Sequence, residues 1–436
     1  MKTTFRPQDD SYSERVIVVA GVTPDEEDTY IESLAELKEL ISTASGVVVG
    51  ELVQKIPHRG QSGYIGSGKL EELAALAAAN EADVIACDDE LKPSQARNIA
   101  DAVGMRVVDR TEVILSIFAR HAKTREAKLQ VELAQLEYLS PRLTHMWSHF
   151  WRQTAGFAIG TRGPGEKQLE LDRRTNKRRI SELKAEMEEV REHRSRVVSS
   201  RPGNFNVSII GYTNSGKSTL LNSLTGADAL VENKLFSTLD TKTRAMRLRS
   251  GLSLLVSDTV GFIRKLPHHL VESFYATLEE TRAANVLVHV VDASSKVFRN
   301  RIDSVEEVLS QLGCADKPTI LVFNKTDLLD EFDLSLLKSE FADAQFISAL
   351  HRENLDTLGD AIYAAIMLEA GHITIKVPLA DGALVSHVLQ SGFAVTSSYD
   401  GEFLMAEIIA PREEIGRMLR RGAMEVDPSC PRPPVN

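Results

Sequence analysis

Eight residues, Gly211-Tyr212-Thr213-Asn214-Ser215-Gly216-Lys217-Ser218, follow an apolar run at Val207–Ile210 and lead into a helical stretch at Thr219–Leu224. The pattern is GxxxxGK[ST] in its strand–loop–helix setting, which makes a phosphate cradle. Glycines let consecutive N–H groups face one anion, and the helix N-terminus adds partial positive charge. Lys217 is expected on the β- and γ-phosphates, and the Ser218 hydroxyl on Mg²⁺. Asp258-Thr259-Val260-Gly261 ends the next apolar run, Ser253–Ser257. Its carboxylate can hold Mg²⁺ through water, and the Gly261 N–H can sense a γ-phosphate. Asn324-Lys325-Thr326-Asp327 follows the run Thr319–Phe323, and Ser348-Ala349-Leu350 follows Gln345–Ile347. The Asp327 carboxylate can accept from both N1–H and the 2-amino group of guanine, a pair of donors that adenine lacks. Leaving that acceptor unpaired costs about 1–3 kcal/mol. Asn324 and Lys325 brace the loop, and the Ser348–Leu350 backbone can meet the guanine O6. The ligand expected is therefore GTP or GDP. Phe236-Ser237-Thr238-Leu239-Asp240 lies where a γ-phosphate-ordered switch belongs. Thr238, Thr241 and Thr243 all compete to complete the Mg²⁺ shell, and spacing does not choose among them. Lys217, Thr238 and Gly261 are the expected catalytic set.

These residues need a parallel sheet to carry them. Residues 205–370 alternate apolar runs with helical stretches, an α/β pattern. Residues 1–112 do the same, with strands expected at Arg15–Gly21, Gly46–Lys55, Val84–Cys87 and Met105–Asp109. Helices are expected at Asp25–Ser42 (Ile31, Leu34, Leu37 and Ile41 on one face), Lys69–Asn80 and Ser94–Val103. Residues 113–200 contain no strand pattern. Leu129, Leu133 and Leu136, then Ile180, Leu183, Met187, Val190 and Val197, predict two long helices, Ala122–Leu139 and about 169–198, paired as an antiparallel arm. Residues 371–436 predict a small α+β domain with an Asp400-Gly401 hairpin turn.

A second string, Gly63-Tyr64-Ile65-Gly66-Ser67-Gly68-Lys69, is also GxxxxGK, and Asp88-Asp89-Glu90 ends the following strand like a second magnesium motif. Position 70 is Leu, so the magnesium hydroxyl is missing. An ATP site here, serving an RNA-remodelling activity, competes with an RNA-facing loop and with a plain Gly-rich turn.

Charge narrows the partners. The chain carries −11 overall. Residues 120–201 hold 18 Lys and Arg against 11 Asp and Glu, so that segment is +7 and the remainder −18. This excludes a general nucleic-acid coat and suits docking on RNA by one sub-region. Arg162, Arg173, Arg174, Lys177, Arg178 and Arg179 form the densest cluster, beside His145, Trp147, His149, Phe150 and Trp151, which could stack on bases. The competing expectation is a solvated helix face. The composition, 43% hydrophobic and 26% charged, is ordinary for a globular protein. Cys87, Cys314 and Cys430 have no metal spacing and read as buried thiols in a reducing cytosol. The run Val16–Val22 is too short for a membrane span.

The motifs resemble those of translation-factor-type GTPases, and FSTLD followed by DTVGF resembles the Obg–HflX branch. Upstream, Tyr64–Lys69 with Glu71-Glu72-Leu73, Asp109-Arg110-Thr111, Lys128–Gln135 and Gly160–Glu166 are similar to the HflX family in order and spacing, over about residues 14–370. Ser237 stands where Ala is common in that family and Lys167 where Thr is common. The resemblance implies a ribosome-associated GTPase that engages the large subunit and its rRNA and can separate subunits under stress. It implies that Thr238 is the switch threonine. Asn214 matches GTPases of this class that place K⁺ beside the phosphates. Many GTPases carry a water-orienting Gln after the DxxG glycine; here Phe262 stands there, so slow intrinsic hydrolysis is expected. A monomer in the cytoplasm is expected, with peripheral membrane association left open. A non-ribosomal signalling switch is the competing function.

Overall fold

The computed structural model describes residues 13–58, 63–140, 142, 174–190, 205–226, 236, 242–249, 251–265, 280–391 and 393–426. The chain packs into two compact units. The first holds residues 1–190, 234–239 and 264–275, and the second holds the rest.

In the first unit, β1 (Arg15–Val22), β2 (Val47–Lys55), β3 (Val84–Cys87) and β4 (Arg106–Asp109) form a parallel sheet in the order β2-β1-β3-β4. β1 and β3 are almost wholly buried, which is why they read as unbroken apolar runs. The helices are α1 (Tyr30–Thr43), α2 (Ser67–Ala79), α3 (Pro93–Val103), α4 (Arg110–His121) and α5 (Arg125–Leu139). Two expectations need correction. Ile31 is 66% exposed, and Leu40 joins Leu34, Leu37 and Ile41 on the buried face of α1. The expected helix from Ala122 is preceded by a separate one, α4. The side chain of Asp109 caps α4 by accepting from the Glu112 N–H at 3.0 Å, and Thr124 caps α5 in the same way through Ala127. A third helix, α6, covers residues 174–190 and packs on α5 as a helical hairpin. Leu129, Leu133 and Leu183 are buried in its seam, with Leu136, Ile180 and Met187 against them.

In the second unit, β5 (Phe205–Gly211), β6 (Lys242–Arg247), β7 (Ser253–Asp258), β8 (Val286–Asp292), β9 (Thr319–Asn324) and β10 (Gln345–Phe346) make a six-stranded sheet in the order β10-β9-β8-β5-β7-β6. Only β6 runs antiparallel to its neighbour. The C-terminal strands β11 (Ala370–Pro378), β12 (Ala394–Asp400), β13 (Phe403–Pro411) and β14 (Met424–Val426) form an antiparallel sheet in the order β12-β13-β11-β14. Helices at Gly382–Gln390 and Arg412–Arg420 complete a βαββαβ, ferredoxin-like arrangement. β14 was absent from the sequence expectation because three residues, mostly exposed, carry no pattern. One core serves both sheets: Phe205 of β5 meets Phe393 edge-on at 5.8 Å. Cys87 and Cys314 are buried free thiols, and Cys430 lies outside the described residues.

Candidate functional site

The phosphate cradle sits between β5 and α7 (Lys217–Thr225). The helix starts at Lys217, two residues earlier than its apolar pattern suggested. Gly211 and Gly216 have φ of 144° and 93°, the left-handed region that glycine tolerates. Side chains there would also collide, with the Val290 carbonyl and the Asn324 amide respectively. Asn214 reaches the same region, at φ 59°. Thr213 and Ser215 are buried, and their hydroxyls make no hydrogen bond. Buried hydroxyls of this kind need partners, and bound phosphate oxygens are suitable ones. Tyr212 stacks under Arg301, 4.9 Å from ring to guanidinium.

Lys217 is 6% exposed and its ammonium donates to the Tyr212 carbonyl at 2.7 Å. Burial pushes its pKa down to about 8, against the pull of Asp258. His289 on β8 is pushed down to about 4 by burial and then by the charge of Lys217, so its imidazole is neutral. Ser218 Oγ donates to Asp258 Oδ2 at 2.6 Å. The loop hydroxyl and the strand-tip carboxylate thus converge, and two oxygen donors beside a phosphate cradle fit Mg²⁺. Among the described residues no cluster of three His, Cys, Asp or Glu offers another metal centre.

Thr259, Val260, Gly261 and Phe262 follow β7. Thr259 Oγ1 donates to the Ile209 carbonyl at 2.9 Å. The Phe262 N–H donates to Gly211 O at 3.1 Å, and the Thr213 N–H to Phe262 O at 2.8 Å. Phe262 therefore clips the DTVG turn to the cradle through its backbone. A Cβ on Gly261 would stand 2.9 Å from Lys217 Nζ, so glycine is needed there.

The loops expected to recognise the base are equally built. Asn324 Nδ2 donates to Ser215 O at 2.8 Å, and its Oδ1 accepts from the Ala349 N–H at 2.9 Å. One side chain thereby ties the phosphate loop to both base loops. Lys325 sits at φ 65° and pairs with Asp292 at 2.7 Å. Ser348 Oγ donates to Asp327 Oδ1 at 2.5 Å, with His351 3.7 Å from the other oxygen. The Thr326 N–H meets Ile347 O at 3.3 Å, and Leu350 is exposed. Asp292 was missed at sequence level; its place at the tip of an apolar strand was the available signal.

Of the expected switch residues, Phe236 and Thr243 are described. Phe236 is buried in the first unit, edge-on to Phe118 at 4.6 Å. Ser237, Thr238, Leu239, Asp240 and Thr241 lie outside the described residues. Thr243 belongs to β6, where its hydroxyl is 2.9 Å from that of Ser257. Of the basic cluster, Arg162 and Arg173 lie outside the described residues, as does the aromatic loop 145–151. Arg179 forms a two-pronged pair with Glu132 of α5, and Arg178 pairs with Glu182.

A left-handed glycine loop at a helix start, a Ser–Asp oxygen pair and an Asn–Asp base clamp on this sheet define a P-loop GTPase. Three family models match the chain in succession: "GTP-binding GTPase N-terminal" over residues 31–119, "GTP-binding GTPase Middle Region" over 121–201 and "50S ribosome-binding GTPase" over 206–325. A protein described as GTPase HflX from Caldanaerobacter subterraneus is 43% identical over 405 residues, 92% of each chain. Its counterpart from Lacrimispora saccharolytica is 49% identical, over 79% of this chain and 81% of that one. The one from Escherichia coli is 39% identical, over 87% and 89%. The chain belongs to the HflX family of GTPases. A crystal structure of a GTP-binding protein from Sulfolobus solfataricus in complex with GDP matches 81% of this chain and 99% of its own, with 27% identity and a TM-score of 0.41. Among the described residues no helix is long and apolar enough to cross a membrane.

Proposed function

We propose that this GTPase binds the large ribosomal subunit in its GTP state, separates or rescues ribosomes under stress, and leaves on hydrolysis. The observation that carries the reading is the guanine-nucleotide site itself, within a region matched by a ribosome-binding GTPase family. Lys217 and the cradle N–H groups hold the phosphates. Ser218 and Asp258, with Thr238, hold Mg²⁺, which supplies charge neutralisation to the transferred phosphoryl group. Asp327 selects guanine, with Asn324, Lys325, Thr326 and Ser348–Leu350 bracing the base. Asn214 accepts K⁺ beside the phosphates. Phe262 is buried and its side chain offers no hydrogen bond to water, so hydrolysis needs order from a partner.

The parts act as an N-terminal α/β domain (1–112), an arm (113–200), a G domain (205–370) and a C-terminal domain (371–436). The arm is the rRNA-docking element, and the protein works as a cytoplasmic monomer. Because Arg179 spans the hairpin to Glu132, it serves the arm's structure first. Arg173, Arg174 and Lys177 are the docking cations.

The test is the GTPase rate with and without purified large subunits, together with co-sedimentation. Stimulation by the large subunit is expected, lost on substituting Arg173, Arg174 and Lys177 by Gln, with a flatter salt dependence. A rate indifferent to the large subunit sinks the ribosomal reading.

A further inference from the structure

Asp292 ends β8 and lies in register with Asn324, the first residue of the base motif on the neighbouring strand. The Ala293 N–H donates to the Asn324 carbonyl at 2.9 Å, so the two strand tips are tied side by side. Both oxygens of the Asp292 carboxylate are in use. Oδ1 accepts from the Ser294 N–H at 3.0 Å and from Ser294 Oγ at 2.6 Å. Oδ2 accepts from Lys325 Nζ at 2.7 Å. The two bonds from Ser294 fix the rotation of the carboxylate, and Oδ2 is the oxygen left for the lysine. The side chains of Lys325 and Asp292 are only 26% and 13% exposed, so water screens this pair less than it screens a surface pair.

Lys325 is thereby held at both ends. Its backbone sits at φ 65°, next to Asn324, whose amide is hydrogen-bonded to Ser215 and Ala349. Two residues on, Asp327 is hydrogen-bonded to Ser348. Among the described residues, the pair with Asp292 is the one ion pair that Lys325 makes. The edge of a guanine is expected at Asp327 and at the backbone of residues 348–350, so its faces need apolar cover. The Lys325 methylenes can provide it, because a lysine stem is apolar along its length. A lysine free at its tip would have to be ordered by each nucleotide, and that ordering costs affinity. Asp292 orders it before the nucleotide arrives.

We propose that Asp292 is a positioning residue for the base: it grips Lys325 in advance and so raises the affinity for guanine nucleotides, whatever phosphates they carry. This rests on the reading above in which Lys325 braces the base.

The experiment measures affinities of the full chain for GDP and for a non-hydrolysable GTP analogue, with no ribosome present. Asp292→Asn keeps the shape and removes the charge. It should weaken both ligands by the same factor of about 3 to 5, the upper range for a partly exposed ion pair. Lys325→Ala should weaken both at least as much. In the Lys325→Ala background, Asp292→Asn should cause no further loss, since the two changes remove one interaction. A purely structural role at the strand tip behaves differently: Asp292→Asn would lower the melting temperature and weaken binding by the same factor in both backgrounds. That result overturns the proposal, as does a parental affinity in Asp292→Asn. A parental affinity in Lys325→Ala removes the base contact of Lys325, and the role of Asp292 with it.

Discussion

Two loops in this chain have nearly the same string. GYTNSGK at 211–217 and GYIGSGK at 63–69 differ at two positions. Their conformations differ far more. In the first, two glycines sit in the left-handed region, the helix begins at the lysine, and that lysine is buried. In the second, none of Gly63, Gly66 and Gly68 has positive φ, and the helix begins at Ser67, so Lys69 is already its third residue. Lys69 turns along the helix to Glu72 at 2.7 Å, and the Gly66 N–H is spent on Gln54 Oε1 at 2.8 Å. Tyr64, at the second position, is a buried strut between Gly21 and Asp89. The residue after the lysine decides in the same direction: Ser218 reaches Asp258, whereas Leu70 has no oxygen to offer. A phosphate cradle is thus a backbone conformation that a motif permits, and the motif alone does not impose it.

The sharpest way to break this contrast is to remove each lysine in turn. Lys217→Ala should lower kcat/KM for GTP by about 10²–10³-fold, the scale of losing one preorganised donor at a charged transition state. Lys69→Ala should leave it within twofold, since a half-exposed helical ion pair contributes little. Equal losses in steady-state assays would mean that both loops bind the substrate.

The next effect belongs to the base clamp, which the N-terminal loop lacks. Asp327→Asn should weaken GTP by about 10–100-fold, corresponding to roughly 1.5–3 kcal/mol for a charged hydrogen bond. It should improve binding of xanthosine triphosphate, whose 2-oxo group needs a donor. Competition between the two nucleotides reads this directly.

A third effect follows from burial of Lys217, whose pKa falls from 10.5 to about 8. The ammonium form is the one expected to bind phosphate. Below about pH 8 the lysine is charged before GTP arrives. Above it, binding must take up a proton, so affinity should fall as pH rises, approaching tenfold per unit. Calorimetry at pH 9 in two buffers of different ionisation enthalpy should show that uptake. Lys217→Ala should abolish it.

The sheets and the order of the nucleotide motifs were legible in the sequence. Buried parallel strands such as Val84–Cys87 are unbroken apolar runs, and the motifs follow the ends of β5, β7, β9 and β10 in chain order. What was not legible depends on contacts distant in sequence. Nothing near Asp88 announces that its carboxylate is paired at 2.8 Å with Lys265, 177 residues away. The exposure of Ile31 is another case: α1 offers five Leu and Ile side chains, and only packing against the sheet decides which four turn inward. The arm's charge was legible, but the pairing of Arg179 with Glu132 across the hairpin was not, because composition counts charges without their partners.

The smallest expected effect concerns the fourth position, where Asn214 in one loop faces Gly66 in the other. Asn214 sits at φ 59° in the loop, and an amide oxygen is a suitable ligand for a large, weakly hydrated monovalent ion. A K⁺ held there adds positive charge beside the phosphates where no arginine is supplied in cis, a role in which added charge is known to speed phosphoryl transfer. Replacing K⁺ by Na⁺ at constant ionic strength leaves screening unchanged. The GTPase rate should then fall several-fold in the parent. Asn214→Gly copies the other loop at this position and tolerates the same φ, so the cradle should survive and GDP should still bind. Its rate should match the parent's in Na⁺ and ignore the exchange. A parent rate indifferent to the cation would leave Asn214 with a purely conformational job. A variant that still responds to K⁺ would move the ion to another ligand.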